Sequence, residues 1–99
     1  MLALPASLTV YNASAALRTL AEGISSEAGD VVVIDASALA ELDTSAVATL
    51  LECRRVAQTN GRCIELRSVP AKLADLARLY GVAELIGVPA PGASSGAVC

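Results

Sequence analysis

Polar and apolar residues alternate from Ser7 to Tyr11, with Leu8 and Val10 on one side and Ser7, Thr9 and Tyr11 on the other. That alternation predicts a strand with one drier face. Asn12 then stands where a helix cap is needed. From Ala13 to about Gly23, the residues Ala13, Ala16, Leu17, Leu20, Ala21 and Ile24 recur at i, i+3, i+4, i+7 and i+8. This spacing predicts a helix laying one stripe on a sheet. Ser25, Ser26, Glu27, Gly29 and Asp30 make the connecting loop. Val31, Val32, Val33 and Ile34 form a continuous β-branched run, as expected of a strand buried on both faces.

Ala36 to Leu42 reads as a loop of small residues ending at Asp43, whose carboxylate suits the orphan amides of a following helix. On that helix Ala46, Val47, Leu50, Leu51, Cys53 and Ala57 share one arc, while Thr44, Ala48, Glu52, Arg55 and Thr59 point away. Arg54 falls inside the apolar arc, so its stem should lie along the core edge with the guanidinium reaching water. Asn60 and Gly61 end the helix, and Cys63 to Arg67 returns as a strand with Ile64 and Leu66 inward. Ser68, expected as a cap, and Pro70 start a third helix with Leu73, Leu76, Ala77 and Tyr80 along its apolar stripe and Gly81 as its stop. Ala83 to Val88 fits a short final strand. The remaining PAPGASSGAVC is rich in Pro, Gly and Ser, so residues 1–88 are expected to form one domain and 89–99 a flexible tail. Strands alternating with helices predict an α/β fold, a mainly parallel β-sheet with covering α-helices.

Composition narrows the chemistry. The 99 residues hold no His, Phe or Trp and only two Tyr, so the core is built from Ala, Val, Leu and Ile. Without His there is no His-dependent metal site and no Ser-His or Cys-His dyad, which excludes most hydrolase chemistry. A formal charge of −3 argues against a nucleic-acid partner. The charge is uneven. Residues 1–43 carry six acids (Glu22, Glu27, Asp30, Asp35, Glu41, Asp43) against Arg18, and residues 54–78 carry Arg54, Arg55, Arg62, Arg67, Lys72 and Arg78 against Glu65 and Asp75. The basic end suits either an acidic protein partner or a solvated helix face. Cys53, Cys63 and Cys99 lack C-x-x-C spacing and read as ordinary thiols in a reducing compartment. No signal peptide and no apolar stretch of membrane-spanning length stands out, so a cytoplasmic location without direct membrane insertion is expected.

Dinucleotide and triphosphate sites need closely spaced glycines after a strand, and the turns NASAA, ASALAELDTSA and SVPAK supply none. A phosphoacceptor receiver would need clustered carboxylates with a lysine near the strand ends. Asp35 follows a strand, but Lys72 starts what reads as a distant helix, so Asp35 is assigned to a turn or a cap. No enzyme, metal or cofactor is expected. Thr44 has a different character: a hydroxyl on the first turn of a helix lies where amides and the macrodipole favour an anion or a partner carbonyl. Ala48, one turn on, leaves room for another protein's helix or loop to sit close.

The stretch VVVIDASALAELDTSAVATLL, followed by NGRCIELRSVPAKLADLARLYGVAELI, resembles the STAS family, the sulfate-transporter and anti-sigma-factor-antagonist domain. The family shows a buried strand, an Asp-Ser/Thr-Ser/Ala-Gly helix start, a second strand after N-G and a later helix ending near glycine, in this order, over roughly residues 7 to 88. The LPASLTV opening and the VPAKLADLARLYGV segment are most similar to the small cytoplasmic STAS subunits of bacterial ABC complexes that transport phospholipid and maintain outer-membrane lipid asymmetry. The resemblance implies a STAS-like fold and a non-enzymatic role. It implies binding to the ATPase subunit of the ABC transporter, and a place peripheral to the inner membrane through that complex. The nearby anti-sigma factor antagonists instead bind an anti-sigma factor kinase and are switched by phosphorylation. Asp43 matches the family's Asp and Thr44 its hydroxyl residue, a candidate phosphorylation site, with Ser45 next; Asp43, Thr44, Ser45 and Ala48 are the expected partner-binding residues. Ala46 stands where the family often has Gly, and its methyl is expected to narrow the choice of partner.

Overall fold

The computed structural model describes residues 2–27 and 29–86. Its elements are β1 (Leu2–Ala3), β2 (Ser7–Leu8), α1 (Ala13–Ser26), β3 (Val31–Asp35), β4 (Glu41–Leu42), α2 (Thr44–Thr59), β5 (Cys63–Arg67) and α3 (Ala71–Leu79). The chain is thus α/β, and every strand pair is parallel, as the alternation of elements predicts. One sheet has the order β1-β3-β5, and a smaller one pairs β2 with β4. Val31 lies opposite Cys63 and Asp35 opposite Arg67, so β3 and β5 pair over their whole length. Amides beyond the strand ends continue the ladder, from Leu4 to the Asp35 carbonyl and from Ala36 to that of Arg67.

Helices α1 and α2 pack on each other, α1 also reaches β1, and α2 also reaches β5 and α3. Both long helices therefore share one face of the sheet, and their stripes meet the strand residues that point toward them. Leu20 and Ile24 from α1, Val47, Leu50 and Cys53 from α2, Val32, Ile34, Ile64 and Leu66 from the strands, and Leu73 and Ala77 from α3 form one core. Gly23 is where β1 meets α1. A Cβ there would lie 2.6 Å from a Leu2 methyl, so the missing side chain lets the strand approach the helix.

Several expectations fail for local reasons. The strand over Ser7 to Tyr11 stops at Leu8, because the Asn12 side chain donates to the Ser7 carbonyl and accepts from the Thr9 amide, which folds the chain into a turn. Asn12 precedes α1 but makes no side-chain bond to the helix amides, and the helix runs on to Ser26. Val10 is 67 % exposed instead of facing the core. In β3, Val32 and Ile34 are fully enclosed but Val31 is exposed and Val33 half-buried, since the two long helices cover a single face. The loop from Ala36 to Leu42 contains β4, and β1 lies ahead of the first predicted strand.

Ser68 is not a cap: it takes the left-handed φ of +56°, and α3 starts after Pro70 without a side-chain cap bond. Tyr80 leaves the apolar stripe because α3 ends at Leu79, and it is 56 % exposed. Residues 83–86 form turns instead of a strand, held by the Leu85 and Ile86 amides donating to the Val82 carbonyl, with Ile86 buried. Gly87, Val88 and the tail expected over 89–99 lie outside the described residues. Cys63 is disulfide-bonded, contrary to the expected thiol, while Cys53 is free and buried. Among the described residues no helix is long and apolar enough to cross a membrane.

Candidate functional site

The start of α2 is built around Asp43. Its extended backbone lets the side chain turn back over the first helical turn, where one oxygen, Oδ1, accepts from the Ser45 amide at 2.8 Å. This is the cap expected from the sequence. The second oxygen has a partner the sequence did not announce: Oδ2 accepts from the Val10 amide at 3.1 Å. The Val10 and Ser45 amides, in that order, hold the Asp43 carboxyl below the usual carboxylate range, and the positive charge of Lys72 adds to this. Lys72 acts on Asp43 from the start of α3, the helix start expected for it.

From this cap the helix sorts its residues by angle. Thr44 and Ala48 are exposed one turn apart, Ser45 is half-buried, and Ala46 and Val47 are buried. The Ser45 carbonyl accepts from the Thr49 hydroxyl at 2.8 Å, which satisfies a polar side chain buried in the core. Ala46 is 0 % exposed, so its methyl is packed inward. The expectation that it would restrict the partner therefore fails, because the methyl faces the core and not the surface.

Two shallow open grooves flank the exposed ridge. Thr44, Val47, Ala48, Leu51, Tyr80 and Val82 line the one between α2 and the end of α3. The other, between α1 and α2, is bordered by Ala13, Ser14, Leu17, Ser45, Ala48, Thr49 and Glu52. Ala48 belongs to both, so its small side chain is the low point of the ridge between them. Of the four expected partner-binding residues, Thr44, Ser45 and Ala48 thus border one continuous surface, and Asp43 sits beneath it as the cap. Sequence reasoning missed Tyr80, Val10 and Tyr11. Tyr11 is 96 % exposed beside Asp43's second hydrogen bond.

Elsewhere the polar groups serve the fold. Asp35 accepts from the Ser37 amide at 2.9 Å and the Ser37 hydroxyl at 3.0 Å, the turn role expected for it; those two bonds, the amide first, lower its pKa. In the basic segment Arg55, Arg67 and Arg78 pair with Glu52, Glu65 and Asp75. These neighbours favour the solvated-face reading over an acidic partner. Arg54 is half-buried with its Nε shielded from solvent, deeper than expected. Arg62 donates to the Ile24 carbonyl near the end of α1. Among the described residues no group of His, Cys, Asp or Glu is arranged to hold a metal ion.

A surface of small and hydroxylated side chains thus lies between two apolar grooves. The family model described as "Mlab, STAS domain" matches residues 1–87, from the first strand through the turn after α3. No curated protein matches the chain. The order of elements, the Asp-capped α2 and the match over nearly the whole described fold agree, and the chain belongs to the STAS domain family.

Proposed function

We propose that this chain is an MlaB-type subunit of a bacterial ABC complex that transports phospholipid and maintains outer-membrane lipid asymmetry. In this reading it binds the ATPase subunit on the cytoplasmic side of the inner membrane and supports its assembly and activity without turnover of its own. The carrying observation is the match to the MlaB-labelled family description over residues 1–87. The exposed face at Thr44 and Ala48 supports it, since small side chains on a rigid helix let a partner approach closely. Apolar grooves on either side supply area to bury.

The experiment is co-purification of the tagged chain from its own host, with parallel Thr44→Glu and Thr44→Ala variants. The parent should bring down an ABC-type ATPase subunit. Thr44→Glu should stay folded, because a carboxylate in the first helical turn suits the macrodipole. It should lose the partner, because an unpaired charge carried into an interface costs on the order of several kcal/mol of desolvation. Thr44→Ala should be milder, on the order of 1 kcal/mol for one hydrogen bond. Recovery of a kinase-like anti-sigma factor in place of the ATPase would assign the chain to the antagonist branch and overturn the transport reading.

A further inference from the structure

Val10 and Tyr11 are two large apolar side chains that one turn holds out to solvent. Val10 is 67 % and Tyr11 96 % exposed, yet the turn carrying them is held by several hydrogen bonds. The Thr9 amide donates to Asn12 Oδ1 at 2.8 Å, and Asn12 Nδ2 donates to the Ser7 carbonyl. The Asn12 amide donates to the Thr9 carbonyl at 3.1 Å, and the Val10 amide to Asp43 Oδ2 at 3.1 Å. The last of these bonds crosses from the turn to the cap of α2, which also holds the Ser45 amide through Oδ1. One carboxylate thus ties the turn to the helix start.

We propose that Asp43 is a positioning residue for partner recognition, and that the Val10–Tyr11 turn it clamps is an apolar anchor on the same surface as Thr44 and Ala48. This rests on the ATPase-binding reading above and adds to it the feature the partner must offer: an apolar recess for an aromatic ring, next to the contact with the start of α2. Continuity argues for one occupant, because a direct hydrogen bond joins the turn to the residue that caps the helix. Tyrosine suits the role, since it brings a large contact area with few rotatable bonds to freeze.

Asparagine separates the two jobs of Asp43. Its single oxygen can still accept from the Ser45 amide as a good helix cap, but its NH2 cannot accept from the Val10 amide. The full-length parent, Asp43→Asn, Asp43→Ala and Tyr11→Ala are compared by hydrogen exchange at Val10 and by the Kd for the purified ATPase subunit of the host's ABC complex. Asp43→Asn should speed exchange at Val10 by about tenfold or more, leave core amides such as Leu50 unchanged, and weaken binding by about tenfold. Tyr11→Ala should weaken binding to a similar degree with Val10 protection intact. Asp43→Ala, which loses the cap as well, should bind no better than Asp43→Asn. If Asp43→Asn frees Val10 while Kd stays within about twofold of the parent, or if Tyr11→Ala binds like the parent, the proposal is wrong even though the ATPase-binding reading stands. A parent that binds no ATPase subunit at all overturns the reading and the proposal together.

Discussion

At the scale of single residues, Asp43 and Cys53 make opposite uses of their surroundings. Asp43 receives two amide hydrogens in its charged form, so its proton leaves at lower pH in the folded chain than in the unfolded one. The stabilisation is therefore fully present above the unfolded carboxyl value of about 3.9 and is lost as pH falls through the lower folded value. Thermal melts of the parent and Asp43→Ala should differ by a constant gap from neutral pH to about pH 5, and the gap should close on further acidification. A gap that persists unchanged in strong acid would show that the carboxylate is not what stabilises the cap. Cys53 is fully enclosed, and burial, with the Glu52 charge behind it, pushes its thiol up to about 12. The thiolate is the reactive form, so at pH 8 the peptide carrying Cys53 should take up an alkylating label only as fast as the protein unfolds. Mass-spectrometric labelling with and without denaturant checks this directly.

At the scale of elements, α2 joins the recognition surface to the core, and its two sides should respond differently to substitution. Leu50 is wholly buried between the helices and the sheet, so Leu50→Ala should cost roughly 2–5 kcal/mol in a denaturant titration. Thr49→Val should change stability by about 0.5 kcal/mol or less, because the Ser45 carbonyl that loses the hydroxyl is still within the helix ladder and the buried hydroxyl needs no new partner. A large loss would mean that the hydroxyl organises the first turns of α2.

This helix also marks what could be read in advance. The three helices and the strand Cys63–Arg67 were legible from a repeated period, and the strand Val31–Asp35 from its continuous β-branched run. The strands Leu2–Ala3 and Glu41–Leu42 were not, since two residues carry no period and are strands only because a partner lies beside them, whereas Ser7–Leu8 is the start of the strand expected over Ser7 to Tyr11. The Asp43 cap was legible from local chemistry, whereas its bond to Val10 joins residues 33 positions apart. Tyr80 was misread because its spacing continues the stripe of α3 one residue past the point where the helix ends.

At the scale of the molecule, the charged surface contributes little to stability. The pairs Arg55–Glu52 and Arg78–Asp75 are short-range and largely solvated, so raising the salt concentration should leave the melting temperature nearly unchanged. What organises the molecule is the strand order. β1 pairs with β3, β3 with β5 and β2 with β4, so no two strands consecutive in the chain are bonded to each other. The described chain thus has no hairpin on which a sheet could nucleate, and each ladder must wait until a long segment has been closed. Helices can form locally before that, and α1 and α2 pack on each other. The rate-limiting step is then expected to find the two helices already docked and the strands only partly paired. In stopped-flow chevrons Leu20→Ala should mainly slow refolding, whereas Ile64→Val in β5 should mainly hasten unfolding. The helix carrying the recognition surface would then take shape before the sheet beneath it is complete.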